Sequence, residues 1–358
     1  MYYIIMKVYN ELEEYSLMKR INSNTAKIKN VNKENVRIML KSNKVATKLM
    51  VAQATGLSIT TCGTILNELV QDGEVFQNNV LESNGGRPAN EYVYNADFAY
   101  VTGIYLRAEK GKGILRYVVA NAVGEIVIDE SRDYTEVVYE TISQLIGDLL
   151  KTYPQMKAVV IGVPGIVYEG IITDCEIRAL NGIAMSQQLK EKYKIDITIE
   201  NDICTITYGF YNRQNFKTAK NVAVIYFSED NYPGAGFAIN GYVVKGNTMF
   251  SGEISYLSFV EDRVNYGKEL KNREKLVDYA GKTAQDIAVI VDPVLIAFVG
   301  GAVREEDLGK IRKRFAAKIP LKHIPQIIVD DNIYEDYVNG LIELALQKLN
   351  YKVELVIN

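Results

Sequence analysis

Near Asn95 the chain changes its hydrophobic period, and this break limits the possible folds more than any other feature. Before it, apolar residues recur at helical spacing. Val36, Met39 and Leu40 stripe a run from Asn32 to Ser42, Leu49, Met50 and Ala52 a second run, and Cys62, Ile65, Leu66, Leu69 and Val70 a third. After it, short apolar runs at Val101 to Leu106, Leu115 to Ala120, Val159 to Val163, Ile197 to Glu200 and Val222 to Phe227 read as strands. Helical patterns lie between them, most clearly at Tyr139 to Tyr153 and Met185 to Tyr193. One layer type cannot serve both halves, so the pattern predicts a small helical domain over about residues 19–95 and an α/β body over 96–358. A chain of 358 residues with 48% hydrophobic content can bury the two or three cores this requires.

In the first domain, Thr47 is placed to cap the second helix and Gly56 to stop it. Ala54-Thr55-Gly56-Leu57-Ser58 reads as a tight turn with Ser58 capping the third helix. That helix turns Thr60, Thr61, Thr64 and Asn67 away from its buried stripe, as short polar groups suited to phosphates and base edges. Beyond Asp72-Gly73, the segments Glu74 to Gln77 and Glu91 to Tyr94 flank Asn84-Gly85-Gly86-Arg87-Pro88 and read as a hairpin, whose Arg87 can reach a phosphate or a narrow minor groove. Lys19, Arg20, Lys27, Lys29, Lys33, Arg37, Lys41, Lys44 and Lys48 are opposed between Lys19 and Asn67 by Glu34 alone, although the net charge of the chain is −3. A basic end on an acidic body suits a duplex DNA partner; the plainer reading is a solvated helical face.

Helix, helix, glycine turn, helix and hairpin resemble the winged helix-turn-helix of bacterial repressors, a small helical protein-interaction domain being the alternative. The resemblance implies Thr47, Lys48, Ser58, Thr60, Thr61, Thr64, Asn67 and Arg87 as DNA-contacting residues. Where such recognition helices often carry serine and arginine, this chain has Gly63 and Thr64, so no bidentate reader of guanine stands there. Glycine at 63 lowers helix propensity by about 1 kcal/mol relative to alanine, and close approach to a DNA backbone is one use for it.

In the body, five motifs follow in order: Ile161-Gly162-Val163-Pro164-Gly165-Ile166-Val167, Glu200-Asn201-Asp202, Gly234-Ala235-Gly236 with Asn240-Gly241, Ser251-Gly252-Glu253-Ile254, and Val299-Gly300-Gly301-Ala302. Each alone is weak. In this order behind a winged helix they resemble the ROK family of repressors and sugar kinases, specifically its repressor branch. The resemblance implies a two-lobed, actin-like and ribonuclease H-like sugar-kinase fold. It also implies a ligand-binding cleft containing Asn181, Asn201, Asp202 and Glu253, with Asp202 matching the catalytic base of the kinases. Asp202 can equally cap a helix starting near Ile203, Glu253 can be a solvated loop carboxylate, and Asn181 can belong to a simple turn.

The chain departs from the kinases of that family where phosphates are held. Tyr105 stands in place of an aspartate, no Gly-Thr turn follows it through Glu109, and Asp230 and Tyr232 interrupt the second glycine-rich loop. A carboxylate there repels polyphosphate and a tyrosine blocks close backbone approach. The family's zinc ligands are replaced too, by Tyr256 and by Asn265-Tyr266-Gly267-Lys268-Glu269-Leu270-Lys271. The ring of Tyr256 is expected to fill part of the cleft. No catalytic residue, metal or cofactor is therefore expected.

Other features narrow the function classes. His323 is the only histidine, and Cys62, Cys175 and Cys204 are scattered, which excludes a Cys/His zinc cluster and Ser-His-Asp catalysis and fits a reducing compartment. Met1 to Met6 is far shorter than the roughly 20 residues of a membrane span and lacks a signal-peptide pattern, so a cytoplasmic location is expected, with Met18 as an alternative start. With these features, the resemblance implies a homodimeric or homotetrameric repressor of carbohydrate-related genes, with a double-stranded DNA operator and a sugar or sugar derivative as effector. An active sugar kinase with an accessory DNA-binding domain, and a regulator without a ligand, are the alternatives. An intact phosphate turn would favour the first, an occluded cleft the second.

Overall fold

The computed structural model describes residues 28–43, 45–79, 90–109, 112–228 and 232–349. They fall into two compact units, one comprising described residues up to Ala99 with 121–123 and 348–349, the other Tyr100–Ala120 and Gly124–Gln347.

The first unit contains helix α1 (residues 28–42), strand β1 (Ala46–Thr47), α2 (Lys48–Thr55), α3 (Ile59–Gln71), β2 (Val75–Asn79) and β3 (Asn90–Tyr94). The Thr47 hydroxyl accepts from the Met50 N–H, Gly56 ends α2 at φ 71°, and the Ser58 hydroxyl accepts from the Thr61 N–H. Each cap satisfies an amide that a helix start leaves without an intrahelical partner. The expected hairpin forms, and β1 adds an unforeseen third strand, giving an antiparallel sheet of order β1-β3-β2. Val36, Leu40, Val51, Cys62, Leu66, Leu69, Val75 and Tyr92 close the core. A buried polar network ties α1 to the sheet. Arg37 grips Glu74 with two N–H donors at 2.7 and 2.9 Å, and the Tyr94 hydroxyl donates to the same carboxylate at 2.9 Å.

The second unit repeats one topology twice. Its first sheet runs β10-β7-β4-β5-β6, from β4 (Tyr100–Glu109), β5 (Lys112–Asn121), β6 (Ile126–Tyr134), β7 (Met156–Val163) and β10 (Asp196–Asn201). The second runs β13-β12-β11-β14-β15, from β11 (Val222–Tyr226), β12 (Gly234–Ile239), β13 (Tyr242–Val243), β14 (Leu295–Val299) and β15 (Gln326–Val329). Strands β4, β7 and β10 pair in parallel, as do β11, β14 and β15, and antiparallel strands continue each sheet. Helices α4 (Tyr139–Thr152) and α5 (Met185–Tyr193) belong to the first half, and α7 (Arg263–Glu269), α8 (Arg273–Val291) and α9 (Leu308–Ala316) to the second. A small hairpin, β8 (Gly165–Tyr168) with β9 (Ile171–Cys175), follows β7.

Two helices join the halves: α6 (Asp202–Arg213) packs on β11 and β12, α10 (Ile333–Leu346) packs on β4 and β7, and they cross each other. The crossing is close because glycines form it. A Cβ at Gly209 would overlap the carbonyl of Asp336, and one at Gly340 the carbonyl of Thr205. Arg213 closes the joint by donating to Asp336 at 2.7 and 2.9 Å and to Asp330 at 2.6 Å. Among the described residues no single helix is long and apolar enough to cross a membrane.

Candidate functional sites

In the first unit, α3 buries Cys62, Gly63, Ile65, Leu66 and Leu69 and exposes Ile59, Thr60, Thr64 and Asn67. Positions 60, 64 and 67 share one helical face. Two of its hydroxyls are already engaged: Thr64 donates to the Thr60 carbonyl at 3.2 Å, and Thr61 pairs with Ser58 at 2.8 Å. Gly63 also has a packing reason. It lies on the inner face, where a side chain would meet the stem and ammonium of Lys48. Arg87 and the hairpin tip lie outside the described residues.

The basic count from sequence needs correction. Glu68, Asp72 and Glu74 stand just past the stretch in which Glu34 was alone, and the fold returns them to α1. Lys29 meets Glu68 at 2.7 Å, Lys33 meets Asp72 at 3.1 Å, and Arg37 is held by Glu74. Lys41 places its ammonium 5.1 Å from the centre of the Tyr94 ring. Much of the apparent basic face therefore fastens α1 to its neighbours.

In the second unit, a cavity of about 270 Å³ opens at the carboxyl ends of parallel strands from both sheets, the usual location of ligands in such folds. Tyr105 and Arg107 come from β4, Asp202 from the start of α6, Tyr226 from β11, Gly300 and Gly301 from the turn after β14, Asp331 from the turn after β15, and Tyr337 from α10. Glu176, just after β9, completes the wall. Burial pushes the Asp202 carboxyl up to about 7, helped by Glu176 and Glu253, although the Ile203 N–H donates to it at 2.8 Å. Burial likewise raises Glu176 to about 7, against the pull of Arg107. The Tyr105 hydroxyl is pushed up to about 12 by burial, and its ring meets Tyr337 edge-on at 4.2 Å. Here β4 runs as an unbroken strand through Tyr105 to Glu109.

The sequence-expected ligand residues meet different fates. Asp202 lines the cavity, and Glu253 lies within its electrostatic reach; burial raises the Glu253 carboxyl while Arg263 lowers it. The cap of α6 is Asn201, not Asp202. Its carbonyl oxygen accepts from the Cys204 N–H at 2.9 Å and its amide donates to the Gly165 carbonyl at 3.0 Å, so the side chain braces the hairpin against the helix. Asn201 lines a second cavity of about 150 Å³ that also holds the Lys245–Glu200 ion pair, at 2.6 Å. Asn181 is exposed after a short 3₁₀ turn, donates to the Cys175 carbonyl at 3.3 Å, and lines neither cavity. Glu176, Asp331 and Tyr337 were not expected from sequence; no local motif marks them, and only the joining of distant strand ends brings them together.

One further expectation is corrected. Tyr256 does not fill the cleft: it is 54% exposed and covers Arg263, whose guanidinium lies 4.6 Å from that ring and 4.4 Å from the Tyr232 ring. Arg263 also donates to the Tyr256 hydroxyl at 2.7 Å, so a cation–π stack occupies the segment that binds zinc in the family. Gly236 has a packing reason as well. A Cβ there would overlap the Thr207 side chain, so glycine lets β12 approach α6.

Residues 108–263 match the family model described as ROK family. The chain carries a ROK family domain. Over 242 residues it is 27% identical to the xylose repressor of Bacillus subtilis, a match covering 64% of this chain and 61% of that protein. The chain thus spans about three fifths of the length of that curated relative. A ROK family transcriptional regulator homologous to the E. coli MLC protein superimposes with a TM-score of 0.68 at 14% identity, over 90% of this chain and 97% of that one. A ROK family glucokinase from Streptomyces griseus, solved with glucose and AMPPNP, superimposes with a TM-score of 0.52 at 16% identity, over 70% of this chain and 100% of that one. The ROK domain here has the two-lobed, actin-like sugar-kinase fold, and a helix-turn-helix precedes it.

Proposed function

We propose that this chain is a DNA-binding transcriptional repressor whose ROK domain senses a sugar or sugar derivative and does not phosphorylate it. Residues 19–95 bind operator DNA, and residues 96–358 bind the effector and join the subunits. The observation that carries this reading is the capped helix pair α2 and α3, which exposes Thr60, Thr64 and Asn67 in a chain that also carries a ROK domain. The similarity to a protein named xylose repressor supports it. In this reading Thr47, Lys48, Ser58, Thr61 and Arg87 supply contacts around that face. A homodimer presents two copies of α3 to half-sites about one helical turn apart, and the protein works in the cytoplasm.

The same reading makes the ROK domain a binding module. Tyr105, whose ring packs against Tyr337, stands where the resemblance to the kinases places an aspartate before a phosphate turn, and a transfer reaction needs its phosphates held in line. Asp202 and Glu253 then bind sugar hydroxyls.

Selection of bound duplexes from a random pool, followed by release with a sugar panel that includes D-xylose, tests the proposal. An enriched, palindromic site released by a sugar is expected, with no ADP formed from ATP and that sugar. Absence of any enriched sequence refutes the regulator role, and sugar-dependent turnover lost in Asp202→Asn refutes the loss of catalysis.

A further inference from the structure

Exposed protein surface is usually polar near a nucleic acid, yet the first residue of α3 is Ile59, 55% exposed. It directly precedes the face carrying Thr60, Thr64 and Asn67. The Thr64 hydroxyl is turned back onto the Thr60 carbonyl, which leaves its methyl group as the free part of the side chain. From Ile59 to Gln71 the helix contains no arginine or lysine, the residues that read guanine O6 and N7 in the major groove. Glu68, its one acidic residue, is occupied by Lys29. Besides the Thr60 hydroxyl, this face offers aliphatic surface at the helix start and one carboxamide, Asn67, further along.

Those groups match one kind of base pair. Aliphatic side chains contact the thymine 5-methyl, and asparagine bonds both N6 and N7 of adenine. The first turn of a recognition helix is the part that reaches base edges. We infer that α3 specifies A·T pairs, with Ile59 and the Thr64 methyl reading thymine 5-methyl groups and Asn67 reading adenine. This inference rests on the proposed DNA-binding function and adds which bases the helix selects and by which groups.

Deoxyuridine substitution gives the test, because it deletes the 5-methyl and leaves base pairing unchanged. The full-length protein first selects its site from random duplex DNA, and each thymine of that site is then replaced singly by deoxyuridine. One or two thymines per half-site should each cost about fourfold in affinity, which is the ~0.8 kcal/mol of one buried methyl-sized group. Ile59→Ala should weaken the native site by a similar factor and abolish the sensitivity at one of those thymines. Ile59 is exposed, so that variant should keep its thermal stability, and Thr64→Ser supplies a second independent variant. A selected half-site without thymine, indifference to deoxyuridine at every position, or full sensitivity retained in both variants overturns the inference while leaving DNA binding intact. If no sequence is enriched at all, the DNA-binding proposal falls and this inference with it.

Discussion

Replacing Arg213 with methionine should destabilise the second unit more than any single surface change, and should do so in a pH-dependent manner. Arg213 at the end of α6 faces two carboxylates: Asp336, whose side chain has no exposed surface, and Asp330, at 7% exposure. Methionine keeps an unbranched aliphatic stem and removes the cation that the two buried carboxylates share. Breaking one side of a buried ion pair costs about 3 to 5 kcal/mol, because the remaining charge stays desolvated. For a unit of this size that corresponds to a fall in Tm of roughly 6 to 20 °C.

The pH dependence follows from Asp336. Burial already raises its carboxyl above the ordinary value, although Arg213 pulls it down, so removing Arg213 raises it further. A carboxyl raised on folding contributes stability that is fully present below its unfolded value and lost as pH rises through its folded value. The variant should therefore lose more stability at pH 8 than at pH 5 relative to wild type. Adding Asp336→Asn should recover part of the loss, since it removes the orphaned charge. Urea unfolding at both pH values measures all three proteins. A loss below about 1 kcal/mol, or one equal at both pH values, would refute the assignment of Arg213 as the cation of a buried cluster.

The carboxyls of Asp202 and Glu176 are both raised to about 7 by burial, so the stability they contribute is present below the ordinary carboxylate range and lost as pH rises through about 7. Asp202→Asn and Glu176→Gln should each raise Tm relative to wild type at pH 8 and not at pH 4; pH-independent differences would contradict this. In DNA binding, Lys48→Ala should lower the slope of log affinity against log salt by about 0.9, one phosphate, whereas Lys29→Ala should hardly change it because Lys29 is paired with Glu68. Equal slope changes in the two variants would show that the α1 ion pairs open on DNA.

What sequence shows of this fold depends on whether the signal is local. The caps at Thr47 and Ser58, the stop at Gly56 and the helix Met185–Tyr193 were legible because each is set by neighbouring residues. Strand β6 was missed because it is an edge strand with most of its side chains in solvent, and Asp129, Glu130, Arg132 and Asp133 blur its alternation. The two-residue β1 is too short for any period. Charge misled for a related reason: counting along α1 cannot see that Glu68, Asp72 and Glu74 return to it in space. At the candidate ligand site Asp202 was legible from Glu200-Asn201-Asp202, but its neighbours were not. Glu176, Asp331 and Tyr337 come from separate stretches of the chain that the fold draws to one cavity.

The chemistry of that cavity suits holding a sugar hydroxyl, as the proposed sensing role requires. A carboxyl that titrates near the working pH is able to take a proton, so the proposed loss of transfer rests on the phosphate side, where kinases balance the developing negative charge with cations. Here burial raises the Asp202 and Glu176 carboxyls to about 7, Glu176 adding to the rise at Asp202, and Tyr105 and Tyr337 line the same cavity. A protonated carboxyl donates as well as accepts, and a sugar hydroxyl does the same, so the two groups can pair without leaving an unpaired buried partner. Ligand binding then replaces the water these groups lose on burial, and its free energy adds to the stability of whichever conformation closes around it. In the proposed repressor, that difference in affinity between conformations is the quantity that shifts operator binding, and the shift must be reciprocal: a sugar that weakens DNA binding is itself bound less tightly by the DNA complex.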